Sequence, residues 1–354
     1  MATHLENKVK HIAVMRLSAM GDVAMTVPFL RAFAYQYPQI KVTIISRPFF
    51  KPFFDGIPQV SFFEFDEKNR HKGLFGLLRL FQDLQQLDID AFADLHNVLR
   101  SKIIRTLFAL SGKKAAAINK GREGIKALIR SENKILKPLA SILERHAEVF
   151  RELGFVVVFS SRNSETIFPE KVVLKEDITA IIGMGNQKLI GIAPFAQYDS
   201  KIYPLDLMRI VIETLAKNTN IKILLFGGGK KEVKILDFLS EHKINVINVA
   251  GKINLKKELE LISNLDVMLS MDSGNGHIAA MLGVKVITLY GATHPFAGFS
   301  PFNQPIENAL VSDRMKYPLL PTSVYGNKIV AGYQDAMRTI SPDSVVEKIN
   351  TSLK

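Results

Sequence analysis

The stretch MDSGNGHIAAMLGVKVITLYGATHP (271–295) opens with an acid, a hydroxyl and two glycines, Asp272-Ser273-Gly274-Asn275-Gly276, and His277 follows. IAAML then carries helical spacing, VKVITLYG reads as a buried strand, and DVMLSMD before the turn reads as a strand end. Small residues between a strand and a helix let backbone N–H groups approach an anion, and the helix N-terminus adds partial positive charge. The chemistry expected here is phosphate binding. An ordinary strand–turn–helix connection without a ligand is the alternative that this stretch alone leaves open.

A second group with chemistry is Asp22, in the turn after KHIAVMRL (10–17). A carboxylate at the C-terminal end of a first strand points to where open α/β sheets bind ligands, and there it can serve as a general base. Locally, Asp is also a good helix N-cap, and residue type alone favours that role. Two further polar sites follow strands: the loop 191–201, ending in Lys201, and Gly227-Gly228-Gly229 with Glu232. Strand C-terminal ends of one parallel sheet share an edge, so these two sites and the Asp272 to His277 turn, all in the second half of the chain, can converge on a single ligand, while Asp22 lies in the first half.

The elements that must hold these residues alternate strand and helix. Lys10 to Leu17, Val23 to Tyr37 and Val42 to Arg47 form a βαβ opening, with Pro28 near the start of its helix. One glycine stands where a dinucleotide fingerprint needs three, so a nicotinamide dehydrogenase is excluded. Ser131 to Gly154 reads as mainly helical. FVVVF (155–159) gives way to the polar SSRNSETIFPEK, and the domain boundary is placed near 160–171. This gives a first domain at 1–165, a second at 166–340 and a terminal helix in 341–354, with Ser341 as N-cap and Pro342 in its first turn.

The chain has 354 residues and no cysteine, which removes disulfides and thiolate metal sites. The first ten residues lack the apolar core of a signal peptide, and no run approaches a membrane span; a cytoplasmic location is expected. The net charge of +12 is concentrated: 99–145 holds twelve Lys/Arg against three Glu. Such a segment suits an anionic ligand or an anionic membrane surface. With Phe108 its one aromatic and no nucleic-acid-binding motif in the chain, a nucleic-acid partner is not expected. A solvated helical face is the plainer alternative. Lys120, Arg122 and His146 are the acceptor-side candidates, chosen on charge alone.

RLSAMGDVAMTVPFLRAF (16–33) resembles the N-terminal signature of the family 9 glycosyltransferases, the lipopolysaccharide heptosyltransferases, and DSGNGHIAAMLGVKVITLYGATHP (272–295) resembles their C-terminal one. IGIAPFA…SKIYP, LLFGGGKKE and NLKKELELISNLDVMLS fall between them in the family's order. The resemblance implies a GT-B fold, an α/β architecture of two Rossmann-like domains whose parallel sheets face an interdomain cleft, with the terminal helix crossing back to the first domain. It implies inverting transfer of heptose from ADP-L-glycero-β-D-manno-heptose to Kdo–lipid A or a heptosylated inner core, on the inner face of the cytoplasmic membrane. No metal or other cofactor is implied.

Carried over by position, Asp22 matches the base, Lys201 the lysine on donor phosphate and sugar, and Glu232 beside Gly228 the ribose carboxylate. Asp272, Ser273, Gly274 and His277 match the donor turn. Two departures mark a divergent member: Asn275 stands where the family usually has Pro, and Ile202-Tyr203 where it has Arg-Trp. The other functions considered are a transferase of another nucleotide sugar, a nucleotide-sugar epimerase and a non-catalytic nucleotide-sugar-binding protein.

Overall fold

The computed structural model describes residues 9–159, 167–328 and 330–353. Part of the expected boundary, 160–166, and most of the N-terminal stretch, 1–8, lie outside the described residues. The chain forms two compact units: Met1–Lys120 with Ile142–Phe168, and Gly121–Ser141 with Pro169–Lys354.

In the first unit, β1 (His11–Met15), β2 (Lys41–Ser46), β3 (Val60–Glu64), β4 (Ala91–Asp94) and β5 (Lys114–Ala117) form a parallel sheet in the order β3-β2-β1-β4-β5. The central strands are buried on both faces, so β1 and β4 read as unbroken apolar runs rather than alternating ones. Helices Gly73–Gln85 and Leu99–Leu110 cover one face through Leu77, Leu80, Ile104 and Phe108. Helix Met20–Gln36 packs against helix Ile142–Glu152, where Phe29 and Phe33 each place their rings 4.7 Å from Phe150. Strand order reverses between β1 and β4, which makes the C-terminal end of that pair the switch point where open sheets bind ligands.

In the second unit, β6 (Lys188–Ala193), β7 (Ile221–Leu225), β8 (Val246–Asn248), β9 (Val267–Met271), β10 (Lys285–Tyr290) and β11 (Ala309–Val311) are also parallel, in the order β11-β10-β9-β6-β7-β8. Its switch point lies between β6 and β9. One core of Ile, Leu, Val and Met side chains underlies the sheet.

Three readings differ from the structure. The segment 131–154 is not one helix: Arg122–Ile129 and Ile142–Glu152 are helical, and 130–141 is not. Asn133 takes a left-handed φ of 48°, and Pro138 brings no N–H to a helix. That connection packs within the second unit, where Leu136 and Leu139 lie against a cluster of Leu128, Ala297 and Val324, and Leu139 N–H donates to Phe296 O at 2.9 Å. The first unit is therefore discontinuous in sequence. Pro28 stands in the interior of its helix, because that helix starts at Met20. The terminal helix Pro342–Ser352 is capped as expected, with Ser341 Oγ accepting the Ser344 N–H at 3.1 Å. It is part of the second unit, where Val345 and Ile349, one turn apart, join the core.

Candidate active site

The first unit gathers its polar groups at the β1–β4 switch point. Arg16 directly follows β1 and is almost wholly buried. One guanidinium nitrogen donates to Leu95 O at 2.6 Å, and another is ion-paired with Asp22. Asp22 lies in the first turn of its helix, and Asp22 Oδ2 accepts the Ala19 N–H at 3.2 Å. The N-cap itself is Ala19, so Asp22 contributes the reciprocal half of a capping box. Cap and ion pair together fix the direction of the carboxylate. A guanidinium tethered on its other side to a carbonyl cannot follow Asp22 if that side chain turns.

Across the switch point, Asp94 at the end of β4 is fully buried. It accepts the N–H groups of His96 at 3.0 Å and Asn97 at 2.6 Å. Asn97 adopts a left-handed φ of 49° and donates from Nδ2 to Ile118 O at 2.8 Å. This turn presents His96, whose Nε2 lies 3.5 Å from Ser18 Oγ, the outer limit of a hydrogen bond. Burial, followed by the charge of Arg16, pulls the His96 pKa down to about 4. Lys120 and Arg47 act in the same direction and Asp22 opposes them. His96 is therefore a neutral polar group near pH 7 within a predominantly cationic cluster.

In the second unit the switch point is bridged directly. Lys201, from the turn after β6, places Nζ 3.0 Å from Oδ2 of Asp272, the residue that directly follows β9. Both side chains are largely buried. Helix Gly274–Met281 starts immediately afterwards from Ser273, whose Oγ lies 3.2 Å from Ser270 Oγ and does not cap the helix. With no side-chain cap, first-turn N–H groups are left for a ligand anion. His277 is buried one turn further along. Gly228 is the N-cap of helix Gly229–Ser240, and its N–H donates to Glu232 Oε2 at 2.7 Å.

Two glycines hold the Lys201 turn in place. Gly291 ends β10 so close to this turn that an added Cβ would lie 2.3 Å from Ser200 O. Gly326 has φ +82°, accepts the Ser200 hydroxyl at 2.6 Å, and would place a Cβ 2.4 Å from Lys201 Cδ. Gly326 was not legible in advance, since nothing local in VYGNK points to a lysine more than a hundred residues earlier.

The structure therefore brings together Lys201, Asp272, Ser273 and Gly274 in one unit, with Gly228 and Glu232 at a further strand end of the same sheet. Asp22 lies in the other unit with Lys120, while Arg122 opens a helix of the second unit. His146 is corrected outright: it is fully buried, edge-on to Phe29 at 5.5 Å. Neither ring nitrogen has a hydrogen-bond partner among the described residues. Burial, followed by Arg16 and Arg145, lowers its pKa to about 3, and an acceptor has no access to it. Arg16 was missed; its signal was an arginine closing an otherwise apolar strand. Among the described residues, no three His, Asp or Glu side chains gather as a metal site would require.

Two parallel α/β sheets, each with polar side chains at its switch point, define a GT-B protein. The model of glycosyltransferase family 9 (heptosyltransferase) matches residues 77–323, and the chain belongs to that family; it is a glycosyltransferase. The lipopolysaccharide core heptosyltransferase OpsX of Haemophilus influenzae is 25% identical over 296 residues, 83% of this chain and 82% of OpsX. A family 9 glycosyl transferase from Veillonella parvula superposes with a TM-score of 0.73 at 19% identity over 97% of both chains. E. coli heptosyltransferase WaaC with ADP gives 0.67 at 19% identity over 97% of this chain and 99% of WaaC, and the same enzyme has been solved with ADP-2-deoxy-2-fluoro heptose.

Proposed function

We propose that this chain transfers heptose, with inversion, from ADP-L-glycero-β-D-manno-heptose to a hydroxyl of the lipopolysaccharide inner core, either Kdo–lipid A or a heptosylated form. The observation that carries the reading is the Lys201–Asp272 pair at 3.0 Å beside an uncapped helix N-terminus at a switch point. An inverting displacement develops negative charge on the departing diphosphate and needs a base for the acceptor proton. Lys201 and the N–H groups of the 274–281 helix meet the first need without a metal ion. Removing such a contact commonly costs ~100-fold in rate. Asp272 faces the heptose hydroxyls, Glu232 takes the ribose beside Gly228, and Ser273, Gly274 and His277 complete the donor site.

Asp22 takes the proton from the acceptor hydroxyl as its oxygen bonds to the anomeric carbon and the bond from that carbon to ADP breaks. Arg16 is the positioning residue that aims the carboxylate. Lys120 and Arg122 meet the acidic groups of the acceptor, and the basic segment 99–145 faces the anionic inner leaflet from the cytoplasmic side. The ADP moiety bound by WaaC and the lipopolysaccharide core in the name of OpsX support this choice of donor and acceptor.

The test is nucleotide release from a panel of nucleotide sugars with Kdo–lipid A present, in the presence of a chelator. ADP-heptose is expected to turn over, while the UDP and GDP sugars do not. Turnover of a UDP sugar with ADP-heptose inert would overturn the donor assignment, and isomerisation of the nucleotide sugar with no nucleotide released would favour epimerase chemistry.

A further inference from the structure

The C-terminal edge of the first sheet, where Asp22 lies, carries an unusual set of exposed apolar side chains. Phe49 follows β2 and is 58% exposed. Leu74 and Phe75 open the helix that leads from β3 to β4 and are 61% and 77% exposed. Leu99 opens the helix after β4 and is 75% exposed. Three successive crossovers thus each set a large apolar group on the same edge, since a helix returning to the next parallel strand starts at the C-terminal edge.

Their exposure does not come from a loose loop. Glu67 ties the three connections together, pairing with Arg47 at 3.0 Å and Arg100 at 2.8 Å. Asp66 accepts the N–H groups of Lys68, Asn69 and Arg70. The buried His71 stacks on Phe65, and its Nε2 lies 3.2 Å from Asp83, which also takes Arg70. Those bonds engage the Asp66 and Glu67 carboxylates, while Lys68, Lys72 and Lys102, with Glu64 at the end of β3 as the nearby exposed carboxylate, are exposed and carry no ion pair among the described residues.

We infer that this edge is a membrane-docking surface for an anionic bilayer. Phe49, Leu74, Phe75 and Leu99 enter the interfacial zone, and Lys68, Lys72 and Lys102 meet the lipid phosphates. Rigidly held apolar groups ringed by cations are the composition that binds in the plane of a charged lipid interface, where apolar burial and charge attraction add. No helix among the described residues is long and apolar enough to cross a membrane. The purpose of this surface rests on the reading of a lipid-linked acceptor, because it would bring the edge bearing Asp22 to the bilayer. Lipid binding itself can be measured with no acceptor and no donor present.

The chain contains no tryptophan, so Phe75→Trp creates a single fluorescent reporter. It is mixed with vesicles of phosphatidylethanolamine and phosphatidylglycerol, and separately with phosphatidylcholine alone. With the anionic vesicles the emission should shift to the blue and be quenched by lipids brominated on the acyl chains, with little response to phosphatidylcholine. A Phe238→Trp control, exposed on the second unit, should not move. The double variant Leu74→Ser/Phe75→Ser should lower vesicle partitioning about tenfold or more while leaving transfer to a detergent-dispersed acceptor unchanged. An unshifted Phe75→Trp spectrum in anionic vesicles overturns the inference. So does an equal shift at position 238, or a shift that follows protein concentration without lipid, which would mark contact between two copies of the chain.

Discussion

In the proposed mechanism Arg16 is the buried cation that prepares Asp22 as the base. The guanidinium is tethered to Leu95 O on one side and to the carboxylate on the other, so orientation is set before any acceptor arrives. His146, a helix away, does the opposite: it is a titratable ring sealed among phenylalanines with its nitrogens unmet. Its folded pKa of about 3 lies below an unfolded value near 6.5. The stability that follows from a neutral ring is present above about pH 6.5 and is lost as pH falls toward 3. His146→Phe should therefore reduce the loss of stability between pH 7 and pH 4 by about 3 kcal/mol in urea unfolding. Equal pH slopes for the two proteins would show that His146 is not sealed from solvent protons.

At the scale of elements, the donor turn depends on connections distant in sequence. Gly326 packs against the aliphatic part of Lys201 from a φ open only to glycine without strain. Gly326→Ala should leave the fold intact at a cost of about 1 kcal/mol, and push Lys201 off Asp272. A displacement of that kind commonly costs up to ~100-fold in kcat/KM for the donor. Unchanged kinetics would mean that Lys201 does not need its present position.

The strands and most helices were legible because apolar runs of strand length alternate with helical spacing. Lys201, Asp272 and Asp22 were legible as charged residues at strand ends. Gly326 was not, because its partner is set by a long-range packing contact. The 122–129 helix was not legible because charge dominates that stretch and its apolar stripe, Ile125, Leu128 and Ile129, finds its partners, Ala297 and Val324, far along the chain. His146 was misjudged because a histidine in RHAEVFREL reads the same whether its face is buried or wet.

For the molecule as a whole, most of the net charge of +12 lies in the 99–145 segment, which passes from the first unit to the second and back. Charge attraction to an anionic leaflet weakens with salt, and each basic residue near it contributes roughly 1 kcal/mol. Replacing Lys102, Lys120 and Arg122 by glutamine should lower binding to phosphatidylglycerol vesicles by about two orders of magnitude, and should flatten its salt dependence. Binding that survives both the substitutions and high salt would assign the segment to ordinary solvation.

Transfer through Asp22 is tested most directly by ADP release from ADP-heptose with Kdo–lipid A, comparing the native chain with Asp22→Asn. Native protein should release ADP only when acceptor is present. Asp22→Asn should bind ADP as before and lose turnover by ~100-fold or more. Release that is indifferent to the substitution would remove Asp22 from the chemistry and contradict the mechanism at its centre.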